Sequence, residues 1–349
     1  MSHQFAWGRL WEASSSQYTL KFTELTISTN LLVSPDGEGS HSPLTKANIL
    51  YGEQTLYPKV LLMKFVFYDD FKPGLLKGDR VVDIRDVLKG IEAQTPQLLL
   101  EGVIKNYEEL KPALDSTLEK RDGVPVRRVR LRQPVPKPGL MLCGVGGYKE
   151  GEDRMRPLNF FLKGWTSICG PGDTVVLPPH QATIFNHEAE LGVVFGKEVK
   201  DISREEAMDS VFGYTILCDV SARSVPDTRG FWPQKSFDNF GPMGPCLVTK
   251  DEIPDPYDLD IKLWVNGEIR QNYNTEDMSQ DIPEKIRFLS EICTLSPGDF
   301  MACGTNHHGL GPLQDGDVVE MEISRIGRMT FNVKDPLKRF WDVKENTRP

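Results

Sequence analysis

The sequence predicts an α+β fold that is mostly β, with a small N-terminal α+β unit ahead of a strand-rich sandwich or roll. Three observations carry this. Short runs of strand formers recur through the second half, only two helical patterns interrupt them, and Gly/Pro turns punctuate the intervals. A length of 349 residues suits two domains or one large β-rich one.

Residues 1–58 stand apart. Eight serines fall within the first 42 residues, and Pro35-Asp-Gly-Glu-Gly-Ser40 is turn or linker chemistry. This stretch reads as a weakly ordered extension. A small α+β unit over 59–133 follows. Leu61–Tyr68 and Asp79–Ile84 are strand candidates, and residues 85–120 carry helical spacing through Val87, Ile91, Leu98 and Leu110. Pro134-Val-Pro-Lys-Pro-Gly139 is a linker, because each proline keeps its predecessor out of the helical region. The catalytic β-roll is expected over 134–345. Its strand candidates are Leu140–Gly144, Thr174–Leu177, Ala189–Gly196, Phe212–Asp219, Ile261–Asn266 and Val318–Ile323, with Asn266-Gly267 as a type I′ hairpin signal. One helix is expected to open at Ser203-Arg-Glu-Glu206, which has capping-box spacing, and another after Asp281-Ile-Pro-Glu284.

Composition narrows the function. Hydrophobic residues at 39% are enough for a sizeable core. Forty-one basic against fifty acidic side chains give a net charge of −9, which argues against a nucleic-acid partner and against an anionic membrane surface. No apolar run approaches the roughly 20 residues that span a bilayer. The first 30 residues do not look like a secretory signal. Six cysteines without a CxxC pair fit neither a zinc cage nor a disulfide framework, so buried reduced thiols and a cytoplasmic location are expected.

Four stretches carry chemistry. In His187-Glu188-Ala-Glu190-Leu191, strand alternation puts the two carboxylates on one face, about 6.5–7 Å apart along the strand. A cation would relieve their repulsion; a solvated acidic face is the alternative. In Thr215-Ile-Leu-Cys-Asp219-Val-Ser-Ala-Arg223, a carboxylate ends an apolar strand, where it needs a partner or a metal unless it merely caps a turn. Three such oxygens would suit Mg²⁺ or Mn²⁺, with Ca²⁺ as an impostor, rather than zinc. Lys235 sits among aromatics and prolines in Trp232–Pro245 and could neutralise a carboxylate or an enolate, or could be a surface lysine. Gly304-Thr-Asn-His307-His308-Gly-Leu-Gly311 could cradle an anion and offer an acid or base, or be a solvated turn.

Taken in order, these stretches resemble the fumarylacetoacetate hydrolase family. The likeness rests on Glu188-Ala-Glu190-Leu, Asp219-Val-Ser-Ala-Arg223, Lys235-Ser-Phe-Asp238 with Gly241-Pro-Met-Gly-Pro245, Gly304-Thr305, and Gly316-Asp-Val-Val with Ile323-Ser-Arg-Ile-Gly327. It spans roughly 60–340. The resemblance implies a mixed β-roll, usually dimeric, so a homodimer is expected. It implies Glu188, Glu190 and Asp219 as ligands to a metal, typically Mg²⁺. Lys235 matches a lysine beside the metal, Arg223 and Thr305 match substrate contacts, and Lys163 and Tyr148 match pocket positions. It further implies a β-diketo or 2-oxo acid substrate and a metal-stabilised enolate. The chain departs from the family where many members carry a His–Glu pair that activates water: Gly151 and Arg154 stand in those places. Glu152, His307 or His308 could replace the base. C–C bond hydrolysis is therefore the leading expectation. A decarboxylase or isomerase without water activation is the first alternative, and a non-catalytic metal-binding homologue the second. Phe231 and Trp232 hint at an apolar substrate tail or are packing.

Overall fold

Three neighbouring strands, largely apolar and buried along their whole length, explain the centre of the molecule. Ala189–Phe195, Val211–Cys218 and Gly241–Thr249 are buried at every position, the pattern of strands covered on both faces. They pair antiparallel in the middle of a 12-stranded mixed sheet. In this computed structural model the described residues are 62–152 and 155–342, all within one compact unit. The expected extension 1–58 and Arg154 lie outside them.

The central sheet runs outward on both sides. Lys64–Tyr68 pairs with Gly241–Thr249 and leads on to Lys72–Lys77 and Arg80–Asp83. The segment read as a small N-terminal unit thus contributes strands to the same sheet as the rest. On the other side Ala189–Phe195 pairs with Phe300–Ala302, which runs parallel to Met141–Gly144. One face is covered by helices Pro96–Lys105 and Tyr107–Lys120, whose Leu100, Val103, Leu114 and Leu118 pack with Phe65, Leu217 and Leu247. The other face meets a five-stranded sheet built on Asp260–Val265, Glu268–Asn274, Val318–Ile323, Gly327–Lys334 and Thr174–Val176. Alternation along that sheet points Ile261, Leu263, Val319 and Met321 inward, against Leu191, Val193 and Ile216. Asn266 and Gly267 have φ of 53° and 79°, as the type I′ turn requires. This is the mostly β fold expected.

One helix does not form as expected. Ser203 and Glu206 do bond to each other: the Glu206 N–H donates to Ser203 Oγ at 3.3 Å, as in a capping box, and the Ser203 hydroxyl donates to Glu206 Oε2 at 2.8 Å. Only a 3₁₀ turn, Ala207–Ser210, follows. The buried strand starting at Val211 takes over too soon for a helix to propagate. The second helix, Ile282–Ile292, forms with Asp281 as its N-cap, accepting from the Glu284 N–H at 2.9 Å.

Candidate metal centre

The site sits where the two central strands end together. Ala189 pairs with Cys218, and the ladder continues by one bond beyond the strands, from the Asp219 N–H to the Glu188 carbonyl at 2.8 Å. That register places Glu188 beside Asp219, and alternation brings Glu190 to the same face. The three carboxylates each offer an oxygen within 4.8 Å of the others, and all three residues are buried. A solvated acidic face is therefore ruled out.

Three cations surround the trio. Lys235, on the short helix Trp232–Lys235, places Nζ 2.6 Å from Glu188 Oε2 and 2.7 Å from Asp219 Oδ2. Lys163 Nζ lies 2.8 Å from Asp219 Oδ1 and also donates to the Lys235 carbonyl. Arg223 pairs with Glu188 Oε1, which also accepts from Ser221 Oγ at 3.0 Å. Burial would raise the Glu188 carboxyl, but Lys235 and Arg223 overcome it and hold the group down at about 2. Glu190 is treated differently. Burial, and then repulsion from Asp219 and Glu188, pushes its carboxyl well above the usual range. Its Oε2 accepts the Gly304 N–H at 2.8 Å, while Oε1 is buried without a hydrogen-bond partner among the described residues. An orphaned carboxylate oxygen facing two more carboxylates fits a hard divalent cation, which would relieve the repulsion.

The supporting shell was not legible in advance. Gln271 is fully buried and joins three pieces of the site. Its Oε1 accepts from the Ala189 N–H at 3.0 Å and lies 3.2 Å from His187 Nδ1; its Nε2 donates to Thr305 Oγ1 at 2.9 Å and to the Asn306 carbonyl at 2.7 Å. Thr305 Oγ1 in turn donates to the Ala189 carbonyl at 2.9 Å, as does the Tyr273 hydroxyl. The peptide between the two glutamates is thereby fixed from both sides. Tyr148 is buried with its ring edge-on to Tyr273, centroids 4.8 Å apart, so it packs beneath the site rather than lining an open pocket. His187, beside Glu188, faces the core, where burial lowers its pKa to about 4. The one signal for Gln271 in the sequence was a polar residue at an inward position of the Glu268–Asn274 strand.

The candidate bases separate. His308 is exposed, and Glu152 is 60% exposed, 4.0 Å from Arg156; neither bonds to the carboxylate trio. His307 follows Asn306, whose carbonyl accepts from Gln271, and it has a partner the sequence did not single out. Its Nδ1 lies 2.5 Å from Glu150 Oε1, which also accepts the His307 N–H at 2.8 Å, and Glu150 Oε2 pairs with Arg156 at 3.0 Å. Burial opposes ionisation of Glu150, yet His307 and Arg156 hold its carboxyl at about 2.

The family model for the fumarylacetoacetate hydrolase C-terminal domain matches residues 145–334. A maleylpyruvate hydrolase from Aquipseudomonas alcaligenes is 32% identical over 290 residues, covering 78% of this chain and 99% of its own. The chain belongs to the fumarylacetoacetate hydrolase family. Among solved members of the family it is similar to maleylpyruvate hydrolase from Sphingobium sp. SYK-6 in complex with manganese(II) and pyruvate. That structure aligns at a TM-score of 0.71 and 35% identity, over 78% of this chain and 99% of that one. It is also similar to a probable 2-hydroxyhepta-2,4-diene-1,7-dioate isomerase from Mycobacterium abscessus, with a TM-score of 0.67, 28% identity, and 78% and 98% coverage. No helix among the described residues is long and apolar enough to cross a membrane.

Proposed function

We propose that the protein hydrolyses a carbon–carbon bond in an acylpyruvate-type oxo acid, with a divalent ion, Mg²⁺ or Mn²⁺, held by Glu188, Glu190 and Asp219. When bound, the ion supplies Lewis-acid stabilisation of negative charge on neighbouring substrate oxygens. The chain's own groups do the rest. Arg223 and Lys235, both at the trio, present cationic donors to an anionic substrate head. His307 takes a proton from water while Glu150 fixes the ring through Nδ1, leaving Nε2 to act. The water oxygen adds to the acyl carbonyl, the C–C bond breaks, and its electron pair becomes an enolate. That enolate carbon then takes up a proton, giving an acid and a 2-oxo acid.

The observation that carries this reading is the His307–Glu150 pair. Gly151 and Arg154 remove the family's usual pair, which would favour chemistry without activated water. Glu150, on that same segment, and His307, from the Gly-rich loop, bring an imidazole and a carboxylate together again. Similarity to two maleylpyruvate hydrolases supports the same direction. The similarity to an isomerase keeps enolate chemistry without water as the second reading. Incubating the Mn²⁺-loaded protein with acylpyruvates and analysing products tests both. Stoichiometric acid plus pyruvate without CO₂ is expected; CO₂ release or isomerised substrate alone would overturn hydrolysis. A homodimer, carried over from the family, is checked by sedimentation.

A further inference from the structure

The strand Glu268–Asn274, which carries Gln271, runs into a short 3₁₀ turn, Thr275–Asp277. Two residues fix that turn. Asn274 caps it by accepting the Glu276 N–H at 3.0 Å. Thr275 is fully buried, with its N–H on the Leu259 carbonyl at 3.0 Å and its Oγ1 accepting the Leu259 N–H at 2.9 Å. The half-buried Asp277 is thereby presented from a rigid base.

Both loops of the His307–Glu150 pair are tied to Asp277. On the Glu150 side the backbones pair: the Lys149 N–H donates to the Asp277 carbonyl and the Ser279 N–H to the Gly147 carbonyl, each at 2.9 Å. Asp277 Oδ2 accepts from the Glu150 N–H at 3.1 Å and from Asn306 Nδ2 at 3.0 Å. Asn306 Oδ1 accepts the His308 N–H at 2.9 Å, so the same side chain closes the turn that presents His307. One carboxylate oxygen thus takes a donor from each loop, from residues 127 and 29 positions away. Glu150 has φ of 58°, a costly conformation for a residue with a side chain, and the bond from its N–H anchors it there. Neither of these side-chain bonds goes to Glu188, Glu190 or Asp219.

We propose that Asp277 is a positioning residue for water activation: it sets the Glu150 loop and the Asn306–His308 turn at the separation that the His307–Glu150 bond needs. This rests on the hydrolysis reading above and adds to it a residue outside the carboxylate trio and the pair. Asparagine would keep, in the same shape, an oxygen able to accept both bonds, whereas alanine releases both loops at once.

Two readouts test it. With an acylpyruvate and the Mn²⁺-loaded protein, Asp277→Ala should lower kcat about 10–100-fold, with KM and Mn²⁺ affinity within about twofold of wild type. Asp277→Asn should recover most of the rate, and Asp277→Ala combined with His307→Ala should be no slower than His307→Ala alone. Proton NMR of the Mg²⁺-loaded protein reads the pair without turnover. The far-downfield imidazole proton of the His307–Glu150 bond, assigned by its loss in His307→Ala, should be present in wild type and Asp277→Asn and absent from Asp277→Ala. Wild-type kcat in Asp277→Ala, a parallel loss of its Mn²⁺ affinity, no recovery in Asp277→Asn, or losses that multiply with His307→Ala overturn the proposal. Should Asp277→Ala not fold, Asn306→Ala cuts the same link from the other side, and an undiminished kcat there overturns it equally. If the wild type turns over no acylpyruvate, the hydrolysis reading fails, and the imidazole resonance alone decides whether Asp277 sets the pair.

Discussion

Removing the two partners of the His307–Glu150 pair, singly and together, separates a catalytic pair from a structural contact. His307→Ala deletes the proposed base, and a positioned general base contributes about 10²–10⁴-fold to a rate. Glu150→Gln keeps the shape but loses the charge. The hydrogen bond at 2.5 Å is charge-assisted, and such bonds contribute about 1.5–3 kcal/mol. If that orientation matters only in the transition state, kcat falls about 10–100-fold with KM nearly constant. Glu150 acts through His307, so the double variant should be no slower than His307→Ala alone. Steady-state kinetics on an acylpyruvate at saturating Mn²⁺, with metal affinity measured in parallel, give all the numbers. Multiplicative losses in the double variant would refute the pairing. Unchanged kcat in His307→Ala would refute the base itself and point to chemistry without activated water.

Three further outcomes follow from the same geometry. Glu190→Gln removes the carboxylate whose Oε1 lacks a partner, and Mn²⁺ affinity by calorimetry should fall by at least ~10-fold; unchanged affinity would remove Glu190 from the ligand set. Mn²⁺ at a hundred times its dissociation constant should add about 2.7 kcal/mol of stability and raise the melting temperature by several degrees, an effect that Asp219→Asn should abolish. Glu150 has its carboxyl lowered from 4.5 to about 2 in the folded chain. Its stabilisation is therefore present above about pH 4.5 and disappears as pH falls through about 2. It amounts to about 3 kcal/mol at most. Urea titrations should show wild type and Glu150→Gln converging between those values, and a gap independent of pH would contradict this account.

Much of the fold was legible because it is dictated locally. Val211–Cys218 is apolar but for Thr215 and Ala189–Phe195 but for Glu190, and Asn266-Gly267 suits one tight turn. The carboxylate trio was legible for a related reason: alternation fixes Glu188 and Glu190 on one face, and Asp219 ends the neighbouring strand. The Ser203 segment shows where local signals stop. Its Ser203 cap bond forms, but the strand that follows takes the residues a helix would need. Gln271 and Glu150 were illegible because their partners are distant in sequence. Glu150 meets His307 across 157 positions, and Gln271 meets Ala189 across 82. No spacing rule reaches that far.

The substitution pattern itself then acquires a physical sense. A water-activating pair needs an imidazole, a carboxylate to fix it, and a position within reach of the substrate carbonyl; it does not need either group on a particular loop. The loop after Tyr148 and the Gly-rich loop after Phe300–Ala302 are held together by the Gly147–Gly304 approach and by the His307 N–H to Glu150 Oε1 bond at 2.8 Å. Two loops held that close can share the pair, with Glu150 kept on the first and the histidine supplied by the second. Glu150 adopts φ of 58°, a backbone conformation uncommon for a residue with a side chain, and its carboxylate bonds to both His307 and Arg156. Glycine or asparagine would sit in that turn at lower cost, so what the glutamate adds there is its carboxylate, bonded to His307 and Arg156.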